Sequence, residues 1–528
     1  MTTRRMTLTL PFPDRFNVNG KLTPPSERAE IVVVGAGAAG AAAALEAARA
    51  GASVMLIDEN PVSPGLIGMD VPLQFGGRAT NAVQTPERLV EQILAASPVL
   101  AEAFEAGVDV RLSTSVWGAW ANGAGMSGFP GPVVGLADET RSWLVGFDRL
   151  IVATGARDLN FTFAGSDQPG VMGAMAFESL LTRYDAFAGK RIVILGSGDV
   201  AAATAALAAE HGVEVAAIVE ARATLQSSTL DGTGFTTLVG HVPLAAQAGA
   251  DGVTGLTVCD VADAAAREEI ACDTVVVAVG AVPVIELFDV LGAARVMDPA
   301  RGGHVPVLGP DGATSLPGVW AAGDCTGLGG DAVAEGRAAA RAALASLGRA
   351  AAPAAPVGRP AGPDAIAYQF DWAKALLDTG GREVMACMCE EVTRGELLDV
   401  QPPRYLGWRS NQMAQRDLRT LAGDGPVNQD QIKRLTRACM GPCQARRCRE
   451  QVALTMAIGA GERPEDIPLA GYRAPVRPLP LSVLADLEET PEASRDWNVW
   501  FGIVTQWIGY EDIGTDRENE QINAGMPY

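Results

Sequence analysis

One pattern constrains this chain more than any other. A β-branched run, Ile31 to Val34, leads directly into Gly35-Ala36-Gly37-Ala38-Ala39-Gly40, and an Ala-rich stretch follows to about Ala50. A second apolar run, Val54 to Ile57, ends at Asp58 and Glu59. Strand, glycine turn, helix and strand in that order make a βαβ unit of the nucleotide-binding kind. Each glycine has its own reason. Gly35 permits the tight turn, Gly37 lets backbone N–H groups approach a diphosphate, and Gly40 lets helix and strand pack closely. The helix N-terminus then stabilises the phosphate charge. Asp58 stands where a carboxylate holds ribose hydroxyls, with Glu59 as the fallback should the strand run one residue further.

The same plan returns downstream. Arg191 to Leu195 precedes Gly196-Ser197-Gly198-Asp199-Val200-Ala201, another Ala-rich helix and a run, Val215 to Val219, that ends at Glu220. Gly196, Gly198 and Ala201 take the three glycine places, and Glu220 would accept hydrogen bonds from a free 2′-hydroxyl while repelling a 2′-phosphate. NAD, or another adenine nucleotide, is the ligand this unit predicts. A domain kept only for its structure is the competing reading.

Composition narrows the class. With 528 residues and 48% hydrophobic content, the chain is globular and long enough for three to four domains at ~150 residues each. Its formal charge of −21 repels phosphate backbones and anionic lipid, so nucleic acid and membrane surfaces are excluded as main partners. Arg4 and Arg5 are followed too soon by Pro11, Pro13, Asp14 and Arg15 for a signal peptide, which predicts a cytoplasmic protein. No apolar run approaches the ~20 residues of a membrane helix.

The eight cysteines are unevenly placed. Cys259, Cys272 and Cys325 are scattered, whereas Cys387, Cys389, Cys439, Cys443 and Cys448 fall in one segment. Such clustering points to metal. A C-x-C pair and a second pair can each hold one iron of a [2Fe–2S] cluster, and four thiolates suit zinc equally. Arg437, Arg446, Arg447 and Arg449 surround the second pair and would raise the reduction potential of a negative cluster. The three histidines, His211, His241 and His304, sit in no acid/base constellation, and no catalytic residue is assigned.

Four motifs in order now carry a resemblance. The glycine turn at 35–40, Ala153-Thr154-Gly155 after the run Leu150 to Val152, the nested second unit, and Ala322-Gly323-Asp324 resemble the flavoprotein reductases with two dinucleotide-binding domains. The resemblance implies an α/β fold of nested Rossmann-like domains, with FAD held by the first, Thr154 and Gly155 at the crossover, and Gly323 and Asp324 near the ribityl and diphosphate region. Arg78, after Gly76-Gly77, would also lie near the flavin. No C-x-x-C pair occurs in residues 30–345, which disfavours a disulfide reductase.

The phrases C-x-C-E-E-V-T and G-P-C-Q-x-R-x-C resemble the [2Fe–2S] domain related to bacterioferritin-associated ferredoxin. On that match the ligands are Cys387, Cys389, Cys443 and Cys448, with Cys439 as an alternate. The whole order resembles the large FAD subunit of hetero-oligomeric amino acid and amine dehydrogenases, such as opine oxidases, dye-linked proline dehydrogenases and hydrogen cyanide synthase. This implies an electron-relaying subunit whose partner, a second flavoprotein, oxidises a C–N bond, with a small third subunit in some complexes.

The expected organisation is an N-terminal extension (1–29), an FAD-binding domain (30–157 and 281–347) and a nested NAD-like domain (158–280). A linker rich in Ala, Pro and Gly (348–379), a small C-terminal [2Fe–2S] domain (380–470) and an aromatic tail (471–528) follow; the tail packs onto the chain's own core or, as the second reading, docks a partner. Two other readings stand beside the relay: a self-sufficient NADH-dependent reductase, and a non-catalytic scaffold with zinc in the cysteine cluster.

Overall fold

The computed structural model describes residues 25–61, 78–121, 131–353, 362–411, 416–485 and 510–518. Strand β1 (Glu27–Val34), helix α1 (Ala38–Arg49) and strand β2 (Val54–Ile57) form the first βαβ unit where the glycine turn required it. β1 lies between β2 and β3 (Ser142–Val152), both parallel to it, with Val33 opposite Leu56 on one side and Ile151 on the other. Because helices and the cysteine domain cover both faces, this strand is a continuous β-branched run rather than an alternating one. Asp109–Arg111 extends the sheet beyond β2, and the antiparallel pair Val133–Ala137 and Ser115–Trp120 closes it beyond β3.

The chain then crosses into a second sheet. Its members β4 (Arg191–Leu195), β5 (Glu214–Glu220) and β6 (Thr274–Val277) are parallel, in the order Thr237–Val239, β5, β4, β6, Val171–Gly173. Helix α2 (Asp199–Glu210) follows the second glycine turn. The outward and return crossovers pair with each other, Ala156–Asp158 antiparallel to Ala281–Pro283. The strand Val319–Ala321 finally rejoins the first sheet beside β3, with Trp320 opposite Ile151. The nested plan expected from the motifs is therefore present.

Helix α3 (Ala332–Ser346) lies against α1 at very close range. A Cβ on Gly336 would stand 2.0 Å from the Ala39 carbonyl oxygen, so the crossing exists only because both helices are Ala- and Gly-rich there.

Two boundaries differ from expectation. β1 begins at Glu27, inside the stretch assigned to an extension, because its pairing with β3 starts there. The stretch 348–379 is not only a linker: it contains helix α4 (Ala365–Asp378), capped by the Asp364 carboxylate accepting the Ala367 N–H at 2.8 Å. Tyr368, Trp372 and Leu376 of α4 are buried in the core of the second sheet with Val193, Val219 and Val275. Periodic apolar residues therefore outweighed the composition of the preceding run, of which 354–361 lies outside the described residues.

The cysteine domain contains helices α5 (Gln429–Thr436) and α6 (Arg449–Ala460). Its Leu397, Val452 and Met456 share one core with Val32, Leu150 and Val152 of the first sheet. Most of the aromatic tail, with Trp497, Trp500, Phe501 and Trp507, lies outside the described residues. No described helix is long and apolar enough to cross a membrane.

Replacing Gly336 by Val should lower unfolding free energy by at least about 3 kcal/mol in denaturant titrations, because the clash is with backbone that has nowhere to move.

Candidate functional site

The glycines of the first turn divide their work as the sequence required. Gly35 has φ +105°, and a side chain there would strike the Ala153 carbonyl at 2.2 Å. One on Gly40 would strike the Gly35 carbonyl at 1.8 Å, whereas one on Gly37 would meet no atom within 4 Å. Gly37 thus faces open space, the cradle a diphosphate needs. The cavity there measures about 380 Å³ and brings together Gly35, Gly37, Asp58, Glu59, Thr154, Gly155, Gly323 and Asp324, residues spread over nearly 300 positions. Gly40 lies behind it as packing.

Asp58 and Glu59 both line the cavity with different tasks. Asp58 closes the turn, accepting the Ala36 N–H at 2.6 Å and the Asn60 N–H at 2.8 Å. Glu59 accepts both a 2.7 Å and a 3.3 Å bond from the Arg477 guanidinium. Thr154 Oγ1 donates to the Val284 carbonyl at 3.0 Å, and the Val284 N–H to the Gly155 carbonyl at 3.0 Å, so the crossover wall is pinned. Gly323 N–H donates to Glu335 at 2.8 Å, which presents Asp324 at the rim. The Cys325 thiol donates to the Val152 and Ala322 carbonyls, and burial pushes it up to about 11. It is a packing residue.

Arg78 is placed elsewhere. Its guanidinium donates to the Asp273 and Val253 carbonyls, both at 2.8 Å, and so ties its own segment to the second domain instead of lining the cavity. Gly76 and Gly77 lie outside the described residues.

Several cavity residues carried no sequence signal: Arg157, Asp158, Glu286 and Arg477. Glu286 is fully buried, lines an adjoining recess of about 90 Å³, and neither carboxylate oxygen has a hydrogen-bond partner; Arg157 Nε, 3.7 Å away, has none either. The two face each other as an ion pair without a hydrogen bond, which leaves bonding capacity at the wall for a polar ligand. Together with the open cradle at Gly37 they fit FAD. Burial pushes the Asp158 carboxyl up to about 6, against the N–H groups of Met175 and Ala176 that favour its charge.

The five clustered cysteines come together. Cys387 Sγ lies 3.9 Å from Cys389 and 3.6 Å from Cys448, Cys389 lies 3.6 Å from Cys443, and Cys448 lies 3.6 Å from Cys439. Hydrogen bonds among the thiols push Cys387 and Cys443 below the usual thiol range and Cys389 and Cys448 above it, so the four share their protons as one group. Among the described residues no three His, Cys, Asp or Glu side chains are already splayed around a metal position; the thiols form a knot in mutual contact. As a donor set they fit a four-thiolate centre with one thiol to spare. Cys439, the alternate in the expected set, adopts φ +70°, in the left-handed region.

The knot abuts the cavity. Arg446 and Arg447, between Cys443 and Cys448, form part of its wall. Arg157, on the crossover, donates to Glu450 of α6 at 2.7 Å, two residues after Cys448.

The second glycine turn is a different case. Ser197 N–H, placed to meet a diphosphate, donates at 3.0 Å to the Tyr368 hydroxyl, which donates in turn to Glu220 at 2.6 Å. Glu220 also accepts from Ser197 Oγ at 2.6 Å and from the Arg222 N–H at 2.7 Å, and is wholly buried. The Tyr368 ring lies 3.8 Å from where a Gly198 side chain would begin, and Gln369 lies 3.3 Å from that place on Gly280. Gly196 and Ala201 keep their turning and packing roles. Helix α4 thus lies beside the turn at which the sequence places NAD, and the Tyr368 hydroxyl bonds both Ser197 and Glu220 there.

Fold and cavity define an oxidoreductase built from two dinucleotide-binding domains, the first open and the second filled. The family model for pyridine nucleotide-disulphide oxidoreductases matches residues 29–346, and the chain belongs to that family, which implies FAD. An opine oxidase subunit of Agrobacterium tumefaciens (strain Ach5) is 27% identical over 497 residues, 90% of this chain and 94% of that protein. Hydrogen cyanide synthase subunit HcnB of Pseudomonas aeruginosa is 26% identical over 86% of this chain and 98% of its own length. The alpha subunit of sarcosine oxidase from Rhizobium meliloti (strain 1021) is 30% identical over 59% of this chain but only 30% of that protein. A crystal structure of L-proline dehydrogenase from P. horikoshii has the same fold, with TM-score 0.59, 19% identity, and coverage of 87% of this chain and 80% of that one. The resemblance to the large subunits of amine- and amino-acid-oxidising complexes is borne out.

A carboxyl whose folded-state pKa stands above its ordinary 3.8 is stabilised in its neutral form, so stability falls as pH rises from about 4 through about 6. Asp158→Asn should flatten that part of the pH–stability curve by about 2 to 3 kcal/mol relative to the wild type.

Proposed function

We propose that this chain is the electron-relaying subunit of a hetero-oligomeric dehydrogenase or oxidase that acts on the C–N bond of an amino or imino acid. It carries FAD in the first domain and a [2Fe–2S] cluster at Cys387, Cys389, Cys443 and Cys448. A second flavoprotein subunit, with a small third subunit, oxidises the substrate, and the assembly is cytoplasmic. The observation that carries this reading is the shared wall: the loop joining Cys443 to Cys448 also borders the FAD cavity through Arg446 and Arg447. The names of the full-length relatives, oxidases and a synthase described as subunits, support a partner of this kind.

FAD, when bound, supplies the exchange of electron pairs for single electrons. The chain's own residues do the rest. Gly35 and Gly37 open the turn to the diphosphate, Glu59 stands ready for ribose hydroxyls, and Thr154, Gly155 and Asp324 line the path toward the ring. Arg446 and Arg447 would place positive charge beside the two negatively charged groups and raise the potential of both, while Arg157 and Arg477 are already paired with Glu450 and Glu59.

The NADH-dependent alternative is disfavoured by Tyr368 in the second cleft. Anaerobic NADH should leave the flavin absorption of the purified chain unchanged over minutes, whereas substrate should bleach it in the assembled complex. Rapid bleaching by NADH alone would restore that alternative.

Metal analysis separates iron from zinc. Cys443→Ser and Cys448→Ser should each lose iron and labile sulfide while retaining FAD, and Cys439→Ala should retain both. A colourless protein holding one zinc would end the relay reading in favour of a scaffold.

A further inference from the structure

The cysteine domain carries a surface that the relay alone does not explain. The whole chain has a charge of −21, yet residues 404–449 hold ten Lys and Arg against three Asp, although Arg446 and Arg449 among them are buried and Arg447 faces the cavity. Arg404 is paired with Glu396 and Glu383 and Arg434 feels the charge of Asp430, but Arg409, Arg419 and Arg434 are exposed and make no ion pair within 4.0 Å among the described residues. The run Arg404–Arg409 is exposed at every position, with Tyr405 50% and Trp408 57% accessible, and Met440 is 46% accessible. Several large apolar side chains exposed in one short segment beside exposed arginines are rare on a surface that meets only water.

This face is stitched to the outer side of the thiol knot. The Tyr405 hydroxyl donates to Glu390 Oε2 at 3.3 Å and Arg437 Nε donates to the same oxygen at 2.7 Å. The Met440 N–H donates to the Arg437 carbonyl at 3.1 Å. Glu390 follows Cys389, and a side chain on Gly441 would meet Cys389 Sγ at 2.3 Å. Of the eight cysteines only Cys389 is exposed. The knot therefore has an inner side, toward the flavin wall, and an outer side at Cys389 beneath this patch.

We propose that the face bearing Tyr405, Trp408, Met440, Arg409 and Arg434 is a docking surface for an acidic one-electron carrier protein, seated over Cys389. The inference rests on the reading of the cysteines as a one-electron centre. The occupant follows from charge and size. Basic residues unpaired on an acidic chain select an acidic partner. Three exposed apolar side chains with exposed arginines in the same segments suit a small, transient, salt-sensitive contact rather than a permanent interface, which is larger and depleted in charge at its centre. At this contact one electron leaves the reduced centre of this chain and enters the oxidised centre of the carrier; no bond forms or breaks and no proton moves.

The test uses the full chain as purified, with an acidic plant-type ferredoxin as probe and basic cytochrome c as control. Calorimetric titration at low salt should give micromolar binding to ferredoxin, weakened about tenfold at 0.3 M salt, and no binding to cytochrome c. The pair Arg409→Glu with Arg434→Glu should weaken binding at least about tenfold, and Trp408→Ala about fivefold, with flavin and iron content unchanged. Absence of ferredoxin binding by the wild type, equal binding by the variants, or equal binding of cytochrome c would overturn the proposal. Iron and labile sulfide are measured on the same samples: full cluster without binding sinks the surface alone, and missing iron sinks the cluster reading while the titration still decides the surface.

Discussion

The arrangement depends on a buried ion network at the seam between the crossover and the cysteine domain. Arg157 bonds Glu450 at 2.7 Å and faces Glu286 at 3.7 Å, while Arg449, wholly buried, reaches Asp289 and Glu450 at 3.4 Å each and stacks on Tyr472. Removing one member of such a network strands the others and costs about 3 to 5 kcal/mol. These charges do more for register than for net stability. Glu450 and Arg449 open the helix that follows Cys448, so fixing them against Arg157 fixes the thiols against the flavin wall. A helix held only by Val452 and Met456 would be free to slide along an apolar sheet face; one held by a fork of charges is not.

The first domain was legible because its signals are local. Strand, glycine turn and helix are adjacent in the chain, and the steric reasons for Gly35, Gly37 and Gly40 do not depend on anything distant. The cysteine knot was legible because thiols are few and were already clustered. What escaped was long-range. Arg477 reaches Glu59 across 418 residues, and Glu286 has no motif that distinguishes it from an ordinary helix start. Arg78, read as a flavin neighbour from its place after two glycines, serves the opposite domain.

The second glycine turn marks the limit of motif reasoning. Gly196, Gly198, Ala201 and Glu220 satisfy every local requirement for a dinucleotide, and the turn folds as they dictate. Its cleft was filled by Tyr368, 148 residues from Glu220, on a helix hidden behind a run of Ala, Pro and Gly. A tyrosine is suited to this. Its ring covers a glycine face and its hydroxyl both accepts and donates, so Ser197 and Glu220 are satisfied at once. The motif therefore specifies the shape of a cleft, and other parts of the chain decide its occupant.

That helix comes late in the chain, and its position governs the order of assembly. A nascent polypeptide that has emerged through β6 but not yet through Leu376 exposes an unsealed acidic cleft beside the bare apolar face that Trp372 will cover. The middle domain thus reaches its final form only once its C-terminal third has begun to leave the ribosome, and a fragment cut before residue 365 is chemically a different protein from the same residues within the whole.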